Sequence, residues 1–532
     1  LALAEALMLN GKYEQALLLY NNHCISKKEN SMEDCEIIFR VGCIHLNIGE
    51  YLQAQDCFRN ALAILKIPFC TRKSGFVYNT FIQLIYHFIL RSPIRYFILK
   101  KDDQRKRLAV KILNKYSYAL YYTDISSCFY PHFLALNISL TLPDCTEKME
   151  ISLQHAVIAY QIYFKCKAFG KLNKIFEYIK KTGNKNLIAS AKAISGILHY
   201  YRANWKESED TLLESVGEFK VNGDNLNQLL CLEHLWKIHF LKGDINRAYE
   251  YISHAVSLVN HTHEKLEIKP LTAARILIEC LMDAKADLQK EPPFHSISDA
   301  STPFLIQSRI KIFQLEYELL SGNYNQAWRI SSEFLPVYNN LWFNYEHSVQ
   351  LFSLSCELAV REILNSRANR SAIIDRKKTM KTFRSSLVML LLSSFRYRAY
   401  KGVSYRFLGW YFFLVLNRKC LSGYFFKKSV KYCHKLQMKL EEARALRDLG
   451  IFNDQRNLPG IATDHYDEAF RIFRQCGAIL EIQKIIDRVS PDICKKFLEE
   501  TTRSSLNMAE NSNQIRFDTL LQVSSSISEI AE

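Results

Sequence analysis

The chain has 532 residues and a formal net charge of +16, and it contains only 17 glycines and 11 prolines. So few turn-forming residues argue against an all-β protein, which needs a chain reversal about every ten residues. The length is too great for one ordinary globular core, but it suits an array of helical repeats.

The first predicted elements, in 1–65, are helical hairpins. In "FRVGCIHLNIGEYLQAQDCFRNALAIL" two glycines stand two helical turns apart, and the second ends the first helix. A stripe of aromatic and small residues then follows along a second helix. Small residues let antiparallel helices approach closely, and "NGKYEQALLLY" repeats the same order upstream. The signature residues of this region are Gly11, Tyr13, Ala16, Gly42, Gly49, Tyr51, Ala54, Phe58 and Ala61.

The pattern fades in 66–185 and returns further along the chain. The intervening stretch keeps an amphipathic helical texture, so we predict degenerate helical repeats there. Clear copies occur again in a central region, 186–290, and in a C-terminal region, 300–500. Their signature residues are Gly196, Trp205, Gly243, Ala248, Gly322, Tyr324, Ala327, Tyr466, Ala469 and Phe473.

These residues resemble the tetratricopeptide repeat, whose second half reads G-x6-G-x-[YW]-x2-A-x3-F-x2-A. The match is close over 33–65 and looser elsewhere, and the period is about 38–40 residues instead of the usual 34. The resemblance implies an all-α fold, an α-solenoid of tetratricopeptide-like helical hairpins that is partly degenerate. Each hairpin must bury its apolar stripe against its neighbours, so we expect the signature residues to be structural. Losing a Leu or Phe from such a seam costs ~2–5 kcal/mol.

Motifs for catalysis and cofactor binding are missing from the sequence. The P-loop pattern G-x4-G-K-[ST], the HExxH zinc motif, the G-x-S-x-G elbow and the kinase H-R-D and D-F-G motifs are absent. The fifteen cysteines are scattered singly without a CxxC pair, as is typical of buried thiols in a reducing compartment. We therefore expect a cytoplasmic chain that is not an enzyme and binds no cofactor.

Two further features of the sequence bear on metals and membranes. Cys231, Glu233, His234 and His239 lie close together, and 260–265 holds two more histidines. Structural zinc needs four nitrogen or sulfur ligands, and no complementary pair has a supporting spacing, so no metal site is expected. The most apolar runs are about ten residues long, half of the ~20 that span a bilayer, so no transmembrane segment is expected.

A basic segment, 367–431, carries sixteen Lys and Arg residues against one acidic residue, Asp375. Basic and aromatic residues interleave in it. One interpretation is an electropositive surface for an acidic protein, for an anionic lipid surface or, least favoured, for nucleic acid. The other is a set of solvated helix faces with the aromatic rings turned inward. The first interpretation assigns the partner surface to Arg376, Lys377, Lys378, Lys381, Arg384, Arg396, Arg398 and Arg406.

The last segment, 501–532, begins as a polar linker and continues as the start of an amphipathic helix. We expect this helix to connect the solenoid to a further domain, with dimerisation by coiled-coil-like pairing as one role for it. The alternative is a frayed tail. The start at Leu1, without a secretory signal, likewise suggests an internal piece of a longer protein.

Several stretches together resemble the helical-repeat region of large multidomain signalling ATPases. They are "LAEALMLNGKYEQAL", "FRVGCIHLNIGEYLQAQDCFRNALAIL", "KLQMKLEEARALRDLG" with its E-x-A-R-x4-L-G pattern, "DEAFRIFRQCGA" and "FDTLLQVSSSISEIAE". In that family a protein kinase-like domain and an AAA/STAND-type ATPase precede the repeats. A GAF domain and a histidine kinase, cyclase or phosphatase output often follow them.

The resemblance implies a non-catalytic scaffold segment that mediates interdomain or protein–protein contacts and relays an input to an output domain. Any ATPase or kinase activity would belong to domains outside these residues. The alternative is a stand-alone tetratricopeptide adaptor, or the ligand-sensing repeat domain of an ATP-dependent transcription activator. The expected partners are adjacent domains of the same polypeptide or an acidic protein.

Overall fold

The computed structural model describes residues 2–9, 12–26, 31–70, 73–92, 101–163, 175–179, 183–262, 268–282, 302–339, 345–368 and 376–490, with a few single positions between and after them. Most of these residues are helical and none of them lies in a strand, so the predicted all-α fold of helical repeats is confirmed. Gly11 and the predicted connecting helix in 501–532 lie outside the described residues.

Twenty-two α-helices are described and numbered here in chain order. The first thirteen are α1 (Ala2–Leu9), α2 (Tyr13–Ser26), α3 (Met32–Asn47), α4 (Tyr51–Ile64), α5 (Lys73–Arg91), α6 (Gln104–Thr123), α7 (Phe129–Leu140), α8 (Thr146–Tyr163), α9 (Lys185–Tyr201), α10 (Trp205–Asn222), α11 (Asn225–Lys242), α12 (Ile245–Thr262) and α13 (Ile268–Met282). The rest are α14 (Phe304–Ser321), α15 (Tyr324–Asn339), α16 (Glu346–Ala368), α17 (Arg376–Ser394), α18 (Tyr400–Leu414), α19 (Lys419–Lys435), α20 (Lys439–Asp454), α21 (Pro459–Cys476) and α22 (Ile479–Gln483). In the described part of the chain, no helix combines the length and apolar character that crossing a bilayer requires.

The hairpin of α3 and α4 shows how the signature residues build the repeat. Ser31 and Asp34 form a reciprocal capping box at the start of α3, with hydrogen bonds of 3.1 and 3.0 Å. A Cβ on Gly42 would lie 2.6 Å from the Phe58 ring, so glycine is what allows α4 to pack this closely. Gly49 adopts φ +86° just after α3 ends, a conformation that glycine reaches without strain.

The region predicted to hold degenerate repeats departs from regular stacking. Helix α4 packs directly on α6, which pairs with α7, whereas α5 packs chiefly against α7. Phe76, His87 and Leu90 are buried and form the packed face of α5. Because α5 does not separate α4 from α6, the hairpin series continues past it and leaves it at the margin of the stack.

The solenoid coils back on itself, so that its C-terminal hairpins meet the middle of the chain. The backbone N–H of Arg398 donates to the carbonyl of Tyr201 at 3.0 Å. The indole N–H of Trp205 donates to the carbonyl of Leu436 at 2.6 Å. In addition, α11 contacts α20 and α13 contacts α22. The first helices of the C-terminal hairpins, α14, α16, α18 and α20, contact one another in succession and form the inner layer of this closed arrangement.

Candidate interaction surfaces

An ion-pair network joins the inner helices α14, α16, α18, α20 and α22. At its centre, Asp448 accepts a hydrogen bond from Arg406 at 3.0 Å, and Glu357 accepts another from Arg406 at 2.6 Å. Arg447 continues the network by donating to Glu481 at 2.8 Å. Its ten members in the described residues are Glu316, Glu357, Arg361, Arg406, Glu441, Arg444, Arg447, Asp448, Glu481 and Lys484.

The network is electrically balanced, with five Lys or Arg residues against five Asp or Glu residues. Burial alone would raise the pKa of Glu357, but the guanidinium groups of Arg361 and Arg406 outweigh that effect and hold this pKa well below its usual range. The side chains of Arg406 and Asp448 are only 4% and 1% exposed. Removing such charges from water costs several kcal/mol per ion, so they are stable only while they stay paired. The network thus fixes the relative positions of the helices it joins.

A second charged cluster connects α11, α14 and α16 on the inside of the solenoid. Glu233 accepts hydrogen bonds from Arg309 at 2.8 Å and from Lys237 at 3.0 Å. Lys237 also lies 3.4 Å from Glu346, which accepts a hydrogen bond from the hydroxyl of Tyr200. Burial would raise the pKa of Glu233, but Arg309 and Lys237 hold it well below its usual range. With two bases and two acids, this cluster also leaves no surplus charge for a ligand.

Seven of the eight predicted basic partner residues are exposed or half-buried in the structure. Arg376, Lys377, Lys378, Lys381 and Arg384 are exposed on α17. Beyond α17, Arg398 is exposed and Arg396 is half-buried.

Arg406 does not belong to this surface, contrary to its assignment from sequence. Its residue surface is 3% exposed, and its guanidinium is bound within the inner network. The physical reason is helical phase: Gly402, Arg406 and Gly409 recur at four and three residues and are all buried on the packed face of α18. Counting basic residues along the chain does not reveal which side of the helix each of them occupies.

The exposed positive charge of α17 forms a stripe. Lys377, Lys381 and Arg384 recur at intervals of four and three residues, which places them on one side of the helix. Between positions 376 and 440 the sequence has sixteen Lys and Arg residues and no Asp or Glu. Helix α19, the second helix of the next hairpin, contributes five of these lysines. The charge of this part of the chain is therefore not cancelled by acidic residues of the same helices.

Of the thirteen aromatic residues of the basic segment, two, Phe395 and Tyr424, are exposed, and the others are buried or half-buried. Phe407, Trp410 and Phe426 are fully buried, and the rings of Trp410 and Phe426 meet edge to face at 5.1 Å. The ammonium of Lys428 lies 4.7 Å above the ring of Tyr405, so this base also covers an aromatic ring of its own chain. The interleaved sequence pattern therefore produces packed rings and exposed bases, not a row of open stacking platforms.

The histidine groups noted in the sequence have local partners. His234 makes a hydrogen bond of 2.9 Å with the carbonyl of Leu230. His239 stacks on Tyr251 at 5.2 Å and lies 3.2 Å from the Glu209 carboxylate. The side chains of 261–265 lie outside the described residues. Among the residues that are described, no group of three or more His, Cys, Asp or Glu side chains could hold a metal ion.

The repeat-signature residues lie mainly in the seams between helices. Gly49 and Tyr324 are half-buried, and Gly322 is exposed. The buried members are Tyr13, Ala16, Gly42, Tyr51, Ala54, Phe58, Ala61, Gly196, Trp205, Gly243, Ala248, Ala327, Tyr466, Ala469 and Phe473. Among these residues, Trp205 and Tyr466 also make hydrogen bonds. The indole of Trp205 donates to the carbonyl of Leu436, and the hydroxyl of Tyr466 donates to Asp454 at 2.6 Å.

Comparisons with known proteins add little to this geometry. No protein-family model and no curated protein matches the chain. Among solved structures, the chain is similar to the crystal structure of the yeast Tom70, at 13% identity over 93% of this chain and 97% of that chain, with a TM-score of 0.30. A likeness at this score carries no argument about function, which must come from the surfaces described above.

Proposed function

We propose that this chain is a non-catalytic helical-repeat scaffold that binds an acidic protein segment on the basic surface of α17 and α19. The supporting observation is the contrast between its two charged regions. The inner networks balance their charges within the chain, whereas 376–440 contains no acidic residue, and of its sixteen bases Arg406 is the one that belongs to the inner network. An uncompensated surface of one sign attracts partners of the opposite sign and accelerates their encounter.

The burial of the aromatic rings favours a protein partner over nucleic acid. Proteins that bind single strands without sequence preference combine basic grooves with exposed aromatic rings on which bases stack. Here Phe407, Trp410 and Phe426 are buried in the core, and Phe395 and Tyr424 are the two exposed aromatic residues of the segment. The exposed stripe of Lys377, Lys381 and Arg384 suits a chain of carboxylates, and it requires no stacking surface.

A finer proposal concerns the source of the acidic segment. The resemblance to the repeat region of multidomain signalling ATPases supports a location in an adjacent domain of the same polypeptide, in the cytoplasm, with the solenoid relaying an input to an output domain. The inner network supports this role, because it joins five helices through buried ion pairs and so favours movement of the C-terminal hairpins as one body.

The test is binding of a fluorescein-labelled oligoglutamate peptide, measured by fluorescence anisotropy at low and at physiological ionic strength. The variant Lys377→Glu/Lys381→Glu/Arg384→Glu reverses the stripe on α17. The matched control, Lys12→Glu/Lys185→Glu/Lys206→Glu, changes the net charge equally at three exposed positions near the starts of other helices, where acidic residues are favoured.

The proposal expects the stripe variant to weaken peptide binding by about tenfold or more, since each lost charge-assisted contact contributes ~1.5–3 kcal/mol at most and less when exposed. The control should bind like the unmodified chain. Equal weakening by both variants would mean that only the overall net charge matters, and it would contradict a docking surface on α17. Preferential binding of a DNA duplex of the same charge would replace the protein partner with nucleic acid.

A further inference from the structure

Helix α5 exposes an unusually large apolar surface. Eight of its large hydrophobic residues are between 39% and 68% exposed. They are Val77, Tyr78, Phe81, Ile82, Ile85, Tyr86, Phe88 and Ile89. Single exposed hydrophobic residues are normal on a protein surface, but a contiguous set of this size marks an interaction site.

The eight residues cover one half of the helix. At 100° per residue, they span an arc of about 180° that begins at Val77 and ends at Tyr86. The buried residues Phe76, His87 and Leu90 fall within the opposite arc and pack toward α7. Between positions 77 and 89, this arc contains no charged residue and no small polar one. The helix is therefore apolar on both sides, and the packing described above uses only one of them.

The size of this surface can be compared with ordinary protein surfaces. Four of the eight residues are aromatic, with exposures of 68%, 62%, 46% and 56%. Because a fully buried aromatic side chain removes 150–250 Å² from water, these four alone present on the order of 450 Å². The largest apolar patch of a typical monomer is about 300–600 Å² in total, and the four aliphatic residues add further area here.

The charge around α5 indicates what covers it. Residues 71–101 include six Lys or Arg residues and no Asp or Glu, and α5 itself begins with Lys73 and ends with Arg91. If two copies of α5 met face to face, in either orientation, basic ends would lie against basic ends and repel. A surface with an apolar interior and anionic groups at its edge would complement both the exposed apolar side chains of α5 and the basic residues at its ends. A bilayer that contains anionic lipid has these properties.

We propose that α5 is an interfacial helix that docks the scaffold on an anionic lipid surface, lying in the plane of the headgroups with its apolar arc inserted. Its 19 residues extend over about 28 Å at 1.5 Å per residue, and the tyrosines at two positions of the arc suit the boundary between headgroups and acyl chains. This inference is independent of the acidic-segment proposal, because it concerns a different helix at the other end of the solenoid.

The experiment is flotation of the full chain with vesicles of phosphatidylcholine and phosphatidylserine, compared with vesicles of phosphatidylcholine alone. The test variant is Tyr78→Ser/Phe81→Ser/Ile85→Ser, at the centre of the exposed arc. The matched control, Leu18→Ser/Leu52→Ser/Val221→Ser, removes three exposed apolar side chains elsewhere. The reversed stripe on α17, Lys377→Glu/Lys381→Glu/Arg384→Glu, serves as a second control, because a chain of charge +16 is attracted to anionic vesicles in general. Thermal melts establish that all variants are folded.

We expect the α5 variant to bind vesicles about tenfold more weakly or worse, whereas both controls should bind vesicles nearly as well as the unmodified chain. Loss of binding in the α17 variant, together with normal binding by the α5 variant, would overturn it. A dimer of the unmodified chain that becomes monomeric in the α5 variant, without vesicle binding, would show that a second copy covers α5. Binding of a protein instead of vesicles through α5 would overturn it as well.

Insertion can be observed directly with a tryptophan at the centre of the arc. The variant Ile85→Trp should show fluorescence quenching by phosphatidylserine-containing vesicles that carry brominated acyl chains, because bromine quenches only at contact depth. Leu52→Trp, at an exposed position on α4, is the matched control and should not be quenched. Vesicle binding without quenching at position 85 would contradict insertion of this helix.

Discussion

Arg406 and Asp448 lie 3.0 Å apart on neighbouring inner helices, and both are almost completely buried. The same Asp448 carboxylate accepts a hydrogen bond from the Trp410 indole at 2.7 Å. Arg406, which the sequence places among exposed basic residues, is therefore a buried ion-pair partner that stabilises the solenoid. Inside the molecule positive charges are paired with carboxylates, whereas the bases of α17 and α19 have no acidic residues on their own helices.

Replacing Arg406 with methionine should destabilise the protein strongly. The substitution keeps most of the side-chain volume but removes the cation that Glu357 and Asp448 share, so that Arg361 and Arg447 alone must balance them. Breaking a buried pair costs ~3–5 kcal/mol. Chemical denaturation monitored by circular dichroism measures the loss. The exposed Arg384→Met is the control and should stay within about 0.5 kcal/mol. A similar effect of both substitutions would mean that Arg406 is not buried in an ion-pair network.

Two glycines inside helices should respond in opposite directions to alanine. A Cβ on Gly196 would lie 2.7 Å from the Leu212 side chain across the α9–α10 seam, so Gly196→Ala should cost ~1–3 kcal/mol through overpacking. Gly217 lies in α10 with nothing within 4 Å of an added Cβ, so Gly217→Ala should stabilise by ~0.5–1 kcal/mol through helix propensity. Paired thermal melts measure both changes. Unchanged stability in Gly196→Ala would contradict the close packing of the seam, and destabilisation by Gly217→Ala would contradict the open space at that position.

Stability should fall as the pH is lowered from 7 to 5, in part because of His132. Burial, with His87 as a neighbour, lowers the pKa of His132 to about 3, and His132 lies 3.2 Å from His155. Because this folded-state pKa lies below the unfolded value of about 6.5, the unfolded state binds the proton first. The stabilisation is complete above the unfolded pKa and decreases as the pH falls toward the folded one.

The size of this effect follows from the interval between the two pKa values. Between pH 7 and pH 5, His132 should contribute a loss of about 2 kcal/mol. His132→Gln, which does not titrate, should flatten the slope of unfolding free energy against pH by that amount. The buried carboxylates give no such slope in this range, because the depressed pKa values of Glu233 and Glu357 affect stability only near and below about pH 4. An unchanged slope in His132→Gln would contradict a neutral, buried imidazole.

The repeat units could be predicted from the sequence because their spacing is a local packing code. Gly42 and Phe58 stand at a fixed separation, and the structure places the ring against the glycine. The hairpin of α18 and α19 was missed because serines take the place of small alanines there. Ser422 and Ser429 donate to the carbonyls of Gly409 and Gly402 at 2.8 and 2.7 Å. The sequence signal for this hairpin was a pair of small residues seven positions apart on each helix, two glycines on α18 and two serines on α19.

The candidate surfaces depend on contacts that local patterns do not encode. The partners of Arg406 come from residues 49 positions before and 42 positions after it, so charge counting along the chain assigned it to the wrong side. The exposure of the apolar arc of α5 could not be predicted from the sequence, because hydrophobic content alone does not tell which face of a helix has a neighbour. The contact between the C-terminal hairpins and helices α9–α13 also could not be predicted, because the spacing of the repeats describes only neighbouring helices.

The coiling of the solenoid onto itself can be tested with one cross-link. A Cβ on Gly243, after α11, would lie 2.6 Å from Sγ of Cys476 at the end of α21, and a disulfide needs side chains that approach this closely. Mild oxidation of Gly243→Cys should therefore join the peptides that contain positions 243 and 476, as detected by mass spectrometry after proteolysis. Gly322→Cys has the same φ of +81° but nothing within 4 Å, and it should form no such link. Absence of the link in oxidised Gly243→Cys, with both thiols alkylated as in the control, would contradict the closed solenoid.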